Sequence, residues 1–363
     1  MLPYTNYILL VSIPLIISAV TTPLVRFGAI KNGVVDQPGR HKTHSEAKPL
    51  LGGLAIFVSI MGSLLIMLPI NGKIISLLFA SIIVITTGYL DDRFNLKPLV
   101  KLAGQLVAAA IVVLANISYL APLIELFSRF YFPWFVTVLG MILFIALMIN
   151  AFNLIDGMDG LAAGVSAILF LGMAVKTIVS GGSANILALQ LICFGACIGF
   201  LPYNFNPAKI FMGDTGSMLL GFLLSVTFLF SVTAYSFSGA LVLGSIYIFA
   251  YPLLDVAFAI YRRVRGQCSI LQADRCHIHH LFQGLGISVR KTAVYIYLIN
   301  LFFVTTGVAL IYFNADTSVI LVAGILTGLA AVLLIRKLAN MGVEQGRMTI
   351  KRLAIKNGKV KAD

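Results

Sequence analysis

Charge is scarce in this sequence: Asp, Glu, Lys and Arg together make up 11% of 363 residues, against 60% apolar types. A soluble domain carries roughly 25% charged residues, so one water-facing surface around one core is excluded. A disordered polar chain is excluded for the same reason. Cysteine occurs four times. Cys193 and Cys197 lie one turn apart in an apolar run, and Cys268 and Cys276 fall in a polar loop, so no disulfide framework is expected. The N-terminus lacks a basic n-region and a small-residue cleavage site, and reads as a first span rather than a removed signal. What the chain has is long apolar runs, with a mean hydropathy of +1.00. Each is close to the roughly 20 residues that cross a hydrocarbon core as a helix. Backbone groups in lipid must bond within their own segment, and these runs are too long and evenly apolar for barrel strands. The fold class is therefore all-α, a polytopic membrane helical bundle.

Eleven spans are expected, over 6–25, 50–70, 74–90, 99–115, 134–149, 161–178, 186–202, 218–234, 239–260, 293–313 and 318–335. Acids are half as many as bases, 13 against 26. All the Lys and Arg except Lys73, Arg129 and Lys176 fall in connections on one side or in the tail. The basic side is cytoplasmic by the positive-inside rule, which puts the N-terminus outside and the C-terminus inside. Residues 1–335 then form the membrane domain with cytoplasmic site loops, and 336–363 a basic tail for headgroups. Most acids share the basic side: Asp36, Glu46, Asp91, Asp92, Asp156, Asp159, Asp214 and Asp274. Salt bridging is one reason for such clustering; a site for a metal and a phosphate is another.

The centre of the chain is Asn153-Leu-Ile-Asp156-Gly-Met-Asp159-Gly160, between the apolar runs 134–149 and 161–178. A carboxylate at mid-bilayer costs about 2.5–3.5 kcal/mol even on the lenient insertion scale, so this bend belongs at the water boundary. Its spacing of three would put the polar groups on one side of a helical turn, unless Asp159 merely caps the sixth span. Adjacent Asp91 and Asp92 repel one another unless a cation lies between them, one carboxyl holds a proton, or Arg93 and Lys97 pair with them. Lys101 follows at the start of the next span, placed to meet a phosphate. Asn204 opens a stretch that continues through Phe211-Met-Gly213-Asp214-Thr-Gly216-Ser217. Glycines around Asp214 and the helix start after it suit an anion and a divalent ion, with capping by Asp214 or Thr215 as the plainer reading. Asp255 lies within the ninth span, where a buried acid is expected to reach Arg262 or Arg263. Arg275-Cys276-His277-Ile-His279-His280 makes a cationic, donor-rich patch for a pyrophosphate or for proton transfer, or a zinc site through Cys276.

These motifs, in this order, resemble the polyprenyl-phosphate N-acetylhexosamine-1-phosphate transferases over nearly the whole chain, in particular the undecaprenyl-phosphate N-acetylglucosamine-1-phosphate transferases of bacteria. The resemblance implies a Mg²⁺-dependent enzyme, with Mn²⁺ as an alternative ion, in the bacterial cytoplasmic membrane with its site facing the cytoplasm. It would join a UDP-N-acetylhexosamine to undecaprenyl phosphate and release UMP, beginning a teichoic acid, O-antigen or common antigen. Asp214 and Asn153 match the metal-holding positions. Asp91, Asp92 and His279 match the catalytic ones. Lys101, Asp156, Asp159, Asn204, Phe211, Arg275, His277 and His280 match substrate-binding positions. The implied partners are the two substrates and membrane lipids, with no nucleic acid and room for a homodimer. His277-Ile278-His279-His280 departs from the run of adjacent histidines in the phospho-MurNAc-pentapeptide translocase branch. A secondary transporter is the reading of a different class; it would place ionisable groups near the midplane, often within inverted repeats.

Overall fold

Proline, glycine and asparagine cut the apolar sequence into helices. The computed structural model of the chain describes residues 4–37, 47–233, 239–265, 277–330 and 333. The order is α1 (Tyr4–Lys31), β1 (Val35–Asp36), β2 (Lys48–Pro49), α2 (Gly52–Met67), α3 (Gly72–Phe94), α4 (Pro98–Ala115) and α5 (Ile117–Ser128). There follow α6 (Trp134–Ile155), α7 (Leu161–Val179), α8 (Ala184–Asn204), α9 (Gly213–Thr233), α10 (Gly239–Ile248), α11 (Ala250–Arg265), α12 (Ile278–Gly284), α13 (Val289–Tyr312) and α14 (Thr317–Ala330). β1 and β2 pair antiparallel, with Asp36 opposite Lys48.

The expected all-α membrane bundle is present, with changes in the count of spans. Among the described residues eight helices, α1, α3, α4, α6, α7, α8, α9 and α13, are long and apolar enough to cross a membrane. The expected ninth span is broken: α10 and α11 meet at 68° and together make at most one more. Pro252 explains the break, because it has no N–H for the carbonyl of Ile248 and is tolerated in the first turn of the new helix α11. The second and eleventh expected spans correspond to the shorter apolar helices α2 and α14. α2 stops at Met67 because Leu68, preceding Pro69, is extended (φ −118°, ψ 147°), the conformation that a residue before proline prefers. α5 is a helix where the sequence reading has only a connection.

α9 is the hub. Its apolar window is 94% buried against 22% for α1, so α1 lies at the periphery and protein surrounds α9. α2, α3, α5, α6 and α7 pack around it. Two glycines let the backbones meet. A Cβ at Gly53 would collide with the Gly216 backbone, and one at Gly88 would lie 2.6 Å from Thr215 Cα. Gly53 N also donates to Met212 O at 2.9 Å, so α2 is bonded directly to the approach to α9. Gly53→Ala is expected to cost about 1–3 kcal/mol through overpacking and to lower the melting temperature in detergent. Gly62→Ala, on the same helix with nothing within 4 Å, should leave it unchanged; equal behaviour of the two variants would contradict the packing.

Candidate active site

Antiparallel helices bring the polar ends of α3, α4, α6, α8 and α9 to one side. Between α3 and α4 the chain turns at Asn95, left-handed at φ 50°, and restarts at Pro98 in the first turn of α4. The turn sets Asp91 against Lys101. Lys101 Nζ donates to Asp91 Oδ2 at 2.8 Å and Asn153 Oδ1 at 3.1 Å, and also to Asp214 Oδ2. Asn153 Nδ2 in turn donates to Asp214 Oδ1 at 2.8 Å and Ser217 Oγ at 3.1 Å. Asp91 is thus paired with Lys101 rather than with Arg93 or Lys97, and its Oδ1 accepts from Leu96 N at 2.7 Å. One turn deeper, the carboxamides of Gln105 and Asn150 bond each other and hold α4 to α6 beneath this cluster.

Asp92 points elsewhere. Its Oδ1 accepts from Asp214 N at 2.8 Å, and its Oδ2 from Thr215 N at 3.0 Å and Thr215 Oγ1 at 2.5 Å. It caps α9 from another helix, satisfying N–H groups that a helix start leaves unpaired. Through the N–H of residue 214 it also helps to place Asp214.

A cavity of about 410 Å³ opens beside the cluster, lined by Asp91, Asp92, Asp156, Asp159, Asn204, Phe211, Asp214 and His280 among others. α6 ends at Ile155, so Asn153, Asp156 and Asp159 do not share a helical turn as the spacing had implied; the last two line the bend that follows. Gly160, not Asp159, is the N-cap of α7. Asp159 Oδ2 accepts from Asn206 Nδ2 at 2.8 Å and Ala208 N at 3.0 Å, and its Oδ1 has no protein donor among the described residues. Asn204 is occupied structurally: Oδ1 accepts from Gly160 N and Nδ2 donates to Ile210 O, tying the 204–210 turn to the start of α7. Burial, then the charges of Asp214, Asp92 and Asp159, pushes the Asp156 carboxyl well above the usual carboxylate range. The folded chain then holds a proton that the unfolded chain loses near pH 4, so this group favours the fold less as pH rises.

The histidines divide by depth. His280 lines the cavity. His279 is 1% exposed, and burial, then His280 beside it, pushes its imidazole down to about 3. It is neutral at physiological pH, which corrects the expected cationic patch at this position. Its contribution to stability has the opposite sign to that of Asp156: it is present above about pH 6.5 and falls away as the unfolded imidazole protonates. His277 Nδ1 lies 2.9 Å from Asp255 Oδ2, which makes His277 a partner of Asp255; the side chains of Arg262 and Arg263, the expected partners, lie outside the described residues. Arg275, Cys268 and Cys276 lie outside the described residues; Cys193 and Cys197 are buried free thiols.

Among the described residues, no three of His, Cys, Asp and Glu converge in a metal-holding group. Lys101 nevertheless marks a point on which two carboxylates and a carboxamide oxygen already converge around a cation. Mg²⁺ is held in just such sites by one or two carboxylates, with water and substrate phosphate completing the shell. Asp214, Asp91 and Asn153 fit a hard divalent ion on those terms.

The chain's likeness to known proteins agrees with this chemistry. The family model described as glycosyl transferase family 4 matches residues 74–232. The probable undecaprenyl-phosphate N-acetylglucosaminyl 1-phosphate transferase of Bacillus subtilis (strain 168) is 38% identical over 299 residues, 80% of this chain and 81% of that protein. The decaprenyl-phosphate N-acetylglucosaminephosphotransferase of Mycobacterium tuberculosis (strain ATCC 25618 / H37Rv) is 31% identical over 348 residues, 88% of this chain and 86% of its own. The undecaprenyl-phosphate alpha-N-acetylglucosaminyl 1-phosphate transferase of Yersinia pestis is 33% identical, covering 74% of each chain. This chain belongs to glycosyl transferase family 4. The family match takes in Asp91, Lys101, Asn153, Asp159 and Asp214, and ends before Asp255 and the histidines.

Some residues of this family member's cavity escaped the sequence reading. Asn95, Met158 and Gln283 also line it. Gln283 stands one helical turn after His279 and His280, a spacing that could have pointed to it. Asp36, one of the acids counted above on the basic side, lines the cavity too, and its place depends on the β1–β2 pairing.

Proposed function

We propose that this chain transfers N-acetylglucosamine-1-phosphate from UDP-N-acetylglucosamine to undecaprenyl phosphate, giving undecaprenyl-pyrophosphate-N-acetylglucosamine and UMP. The observation that carries the reading is the convergence of Asp91, Asn153 and Asp214 on Lys101 at one end of the membrane helices, in a chain related to the transferase of Bacillus subtilis. A phosphate oxygen of the lipid attacks the β-phosphorus, the bond from that phosphorus to the bridging oxygen breaks, and UMP leaves. Phosphoryl transfer needs placement and charge neutralisation more than covalent help, and this site provides both. Lys101 supplies a fixed positive charge beside the phosphates, and Asp91 and Asn153 hold it there. Mg²⁺ on Asp214, Asp91 and Asn153 would neutralise charge developing on the phosphoryl oxygens. Asp159, with one carboxylate oxygen turned to no protein donor, accepts from the uracil, and Phe211 offers its ring as the stacking face. The engagement of Asp91 by Leu96 and Lys101 favours direct attack over an aspartyl-phosphate route.

The positive-inside rule supports a site at the cytoplasmic face of the bacterial cytoplasmic membrane, with the N-terminus outside and the 336–363 tail inside. A transporter reading fares worse, because the acids gather at helix ends rather than at mid-span. The test is UMP release from UDP-N-acetylglucosamine in detergent, which should require both undecaprenyl phosphate and a divalent ion. Independence from either would overturn the proposal. Asp159→Ala should raise KM for the UDP-sugar at least about tenfold while KM for the lipid stays put, since a lost charged hydrogen bond is worth about 1.5–3 kcal/mol. An unchanged nucleotide KM would remove Asp159 from the nucleoside site.

A further inference from the structure

Behind the cavity wall, beyond the segment that the family model matches, lies a buried acid with an unusual pair of partners. Asp255 is carried by α11, just past the bend, and is 1% exposed. Its Oδ2 lies 2.9 Å from Nδ1 of His277, and its Oδ1 accepts from Ile278 N at 3.0 Å. Those two groups are neighbours in sequence: His277 is the N-cap residue of α12, makes no capping bond itself, and Ile278 is the first residue of that helix. One carboxylate from a membrane helix thus grips both the ring before α12 and the first amide of α12.

We infer that Asp255 is a positioning residue for the transfer reaction, acting through His277 to hold His279 and His280 at the cavity; this rests on the proposed function. The rings form a series toward the site. His277 and His279 are stacked, 6° from parallel with centroids 5.9 Å apart, and the His279 and His280 centroids are 4.1 Å apart. His280 lines the cavity, while a Cβ added to Gly157 of the cavity wall would lie 2.5 Å from His279 Nε2. That nitrogen and Nε2 of His277 are both buried without a hydrogen-bond partner among the described residues. A purely mechanical anchor for α12 needs one acceptor for Ile278 N, which an asparagine supplies as well. The carboxylate does more. It takes the proton-bearing Nδ1 of His277, which fixes the tautomer and the ring orientation, the way outer-shell carboxylates orient histidines elsewhere. The mid-span break that aims α11 at α12 therefore ties the membrane helices to the histidine side of the cavity.

The experiment uses the full chain in detergent. Asp255→Asn keeps the acceptor for Ile278 but turns an amide N–H toward His277 Nδ1. It is expected to lower kcat about 30-fold, within the 10–100-fold range for outer-shell partners. The lipid KM and the melting temperature should stay near the parent's, and Asp255→Glu should recover part of the rate. In a His277→Phe background the same Asp255→Asn change should cost less than twofold, because the path it acts through is already cut. A kcat within twofold of the parent for Asp255→Asn, or penalties that multiply in the double variant, would overturn the inference. Hydrogen exchange across 277–284 separates this failure from that of the function itself. It should quicken in Asp255→Ala whether or not the parent releases UMP, and unaltered exchange would count against the anchoring.

Discussion

Asp214→Asn should cut turnover by about 10³-fold, the upper end for loss of one electrostatic group in a site and about 4 kcal/mol of barrier. The variant keeps the shape of the side chain but loses its charge. Asn153 Nδ2 still finds the carbonyl oxygen, which turns the new amide toward Lys101 and sets two donors against each other. The backbone N–H of residue 214 stays on Asp92, so α9 remains capped and the fold should be retained. UMP release, read beside the melting temperature in detergent, checks this. Activity within tenfold of the parent would contradict the placing of Asp214 at the reaction centre.

Lys101→Met has the second large effect, and it reaches stability as well as rate. Removing the ammonium leaves Asp91 and Asp214 facing each other without the cation that joins them. The expected cost is about 3 kcal/mol, the lower end for a broken buried pair, since the three side chains are 14–29% exposed. Acidification should return part of the loss, because a protonated carboxyl no longer repels its neighbour. Divalent ions should raise the melting temperature of this variant more than that of the parent. A parent-like midpoint at neutral pH, with no added response to Mg²⁺, would remove Lys101 from the cluster.

How much of this was legible in the sequence follows from the range of each interaction. Apolar runs show where helices form, and alternating connections put Asp91, Asn153 and Asp214 at one end of the bundle; both are local patterns. The division of labour within the Asp91–Asp92 pair was not legible. Successive helical residues point about 100° apart, so one faces Lys101 and the other faces α9, and nothing in the local sequence says which. Asn204, which the resemblance puts on the nucleoside side, lines the cavity, but the bonds of its amide to Gly160 and Ile210 are set by the fold and were not legible. For Asp255 the local pattern offers Arg262 and Arg263, one or two turns along its own helix, whose side chains lie outside the described residues. Its partner among the described residues, His277, is 22 residues away in sequence, a distance no local pattern bridges.

The backbone contact between Gly53 and Gly216 has a consequence for traffic through the site. With α2 and α3 pressed against the start of α9, the shelf that carries Asp214 has no room to retreat. A nucleotide leaving the proposed site would then pass the opposite rim, where a seven-residue helix has its first amide held by a carboxylate and its far end resting on α13.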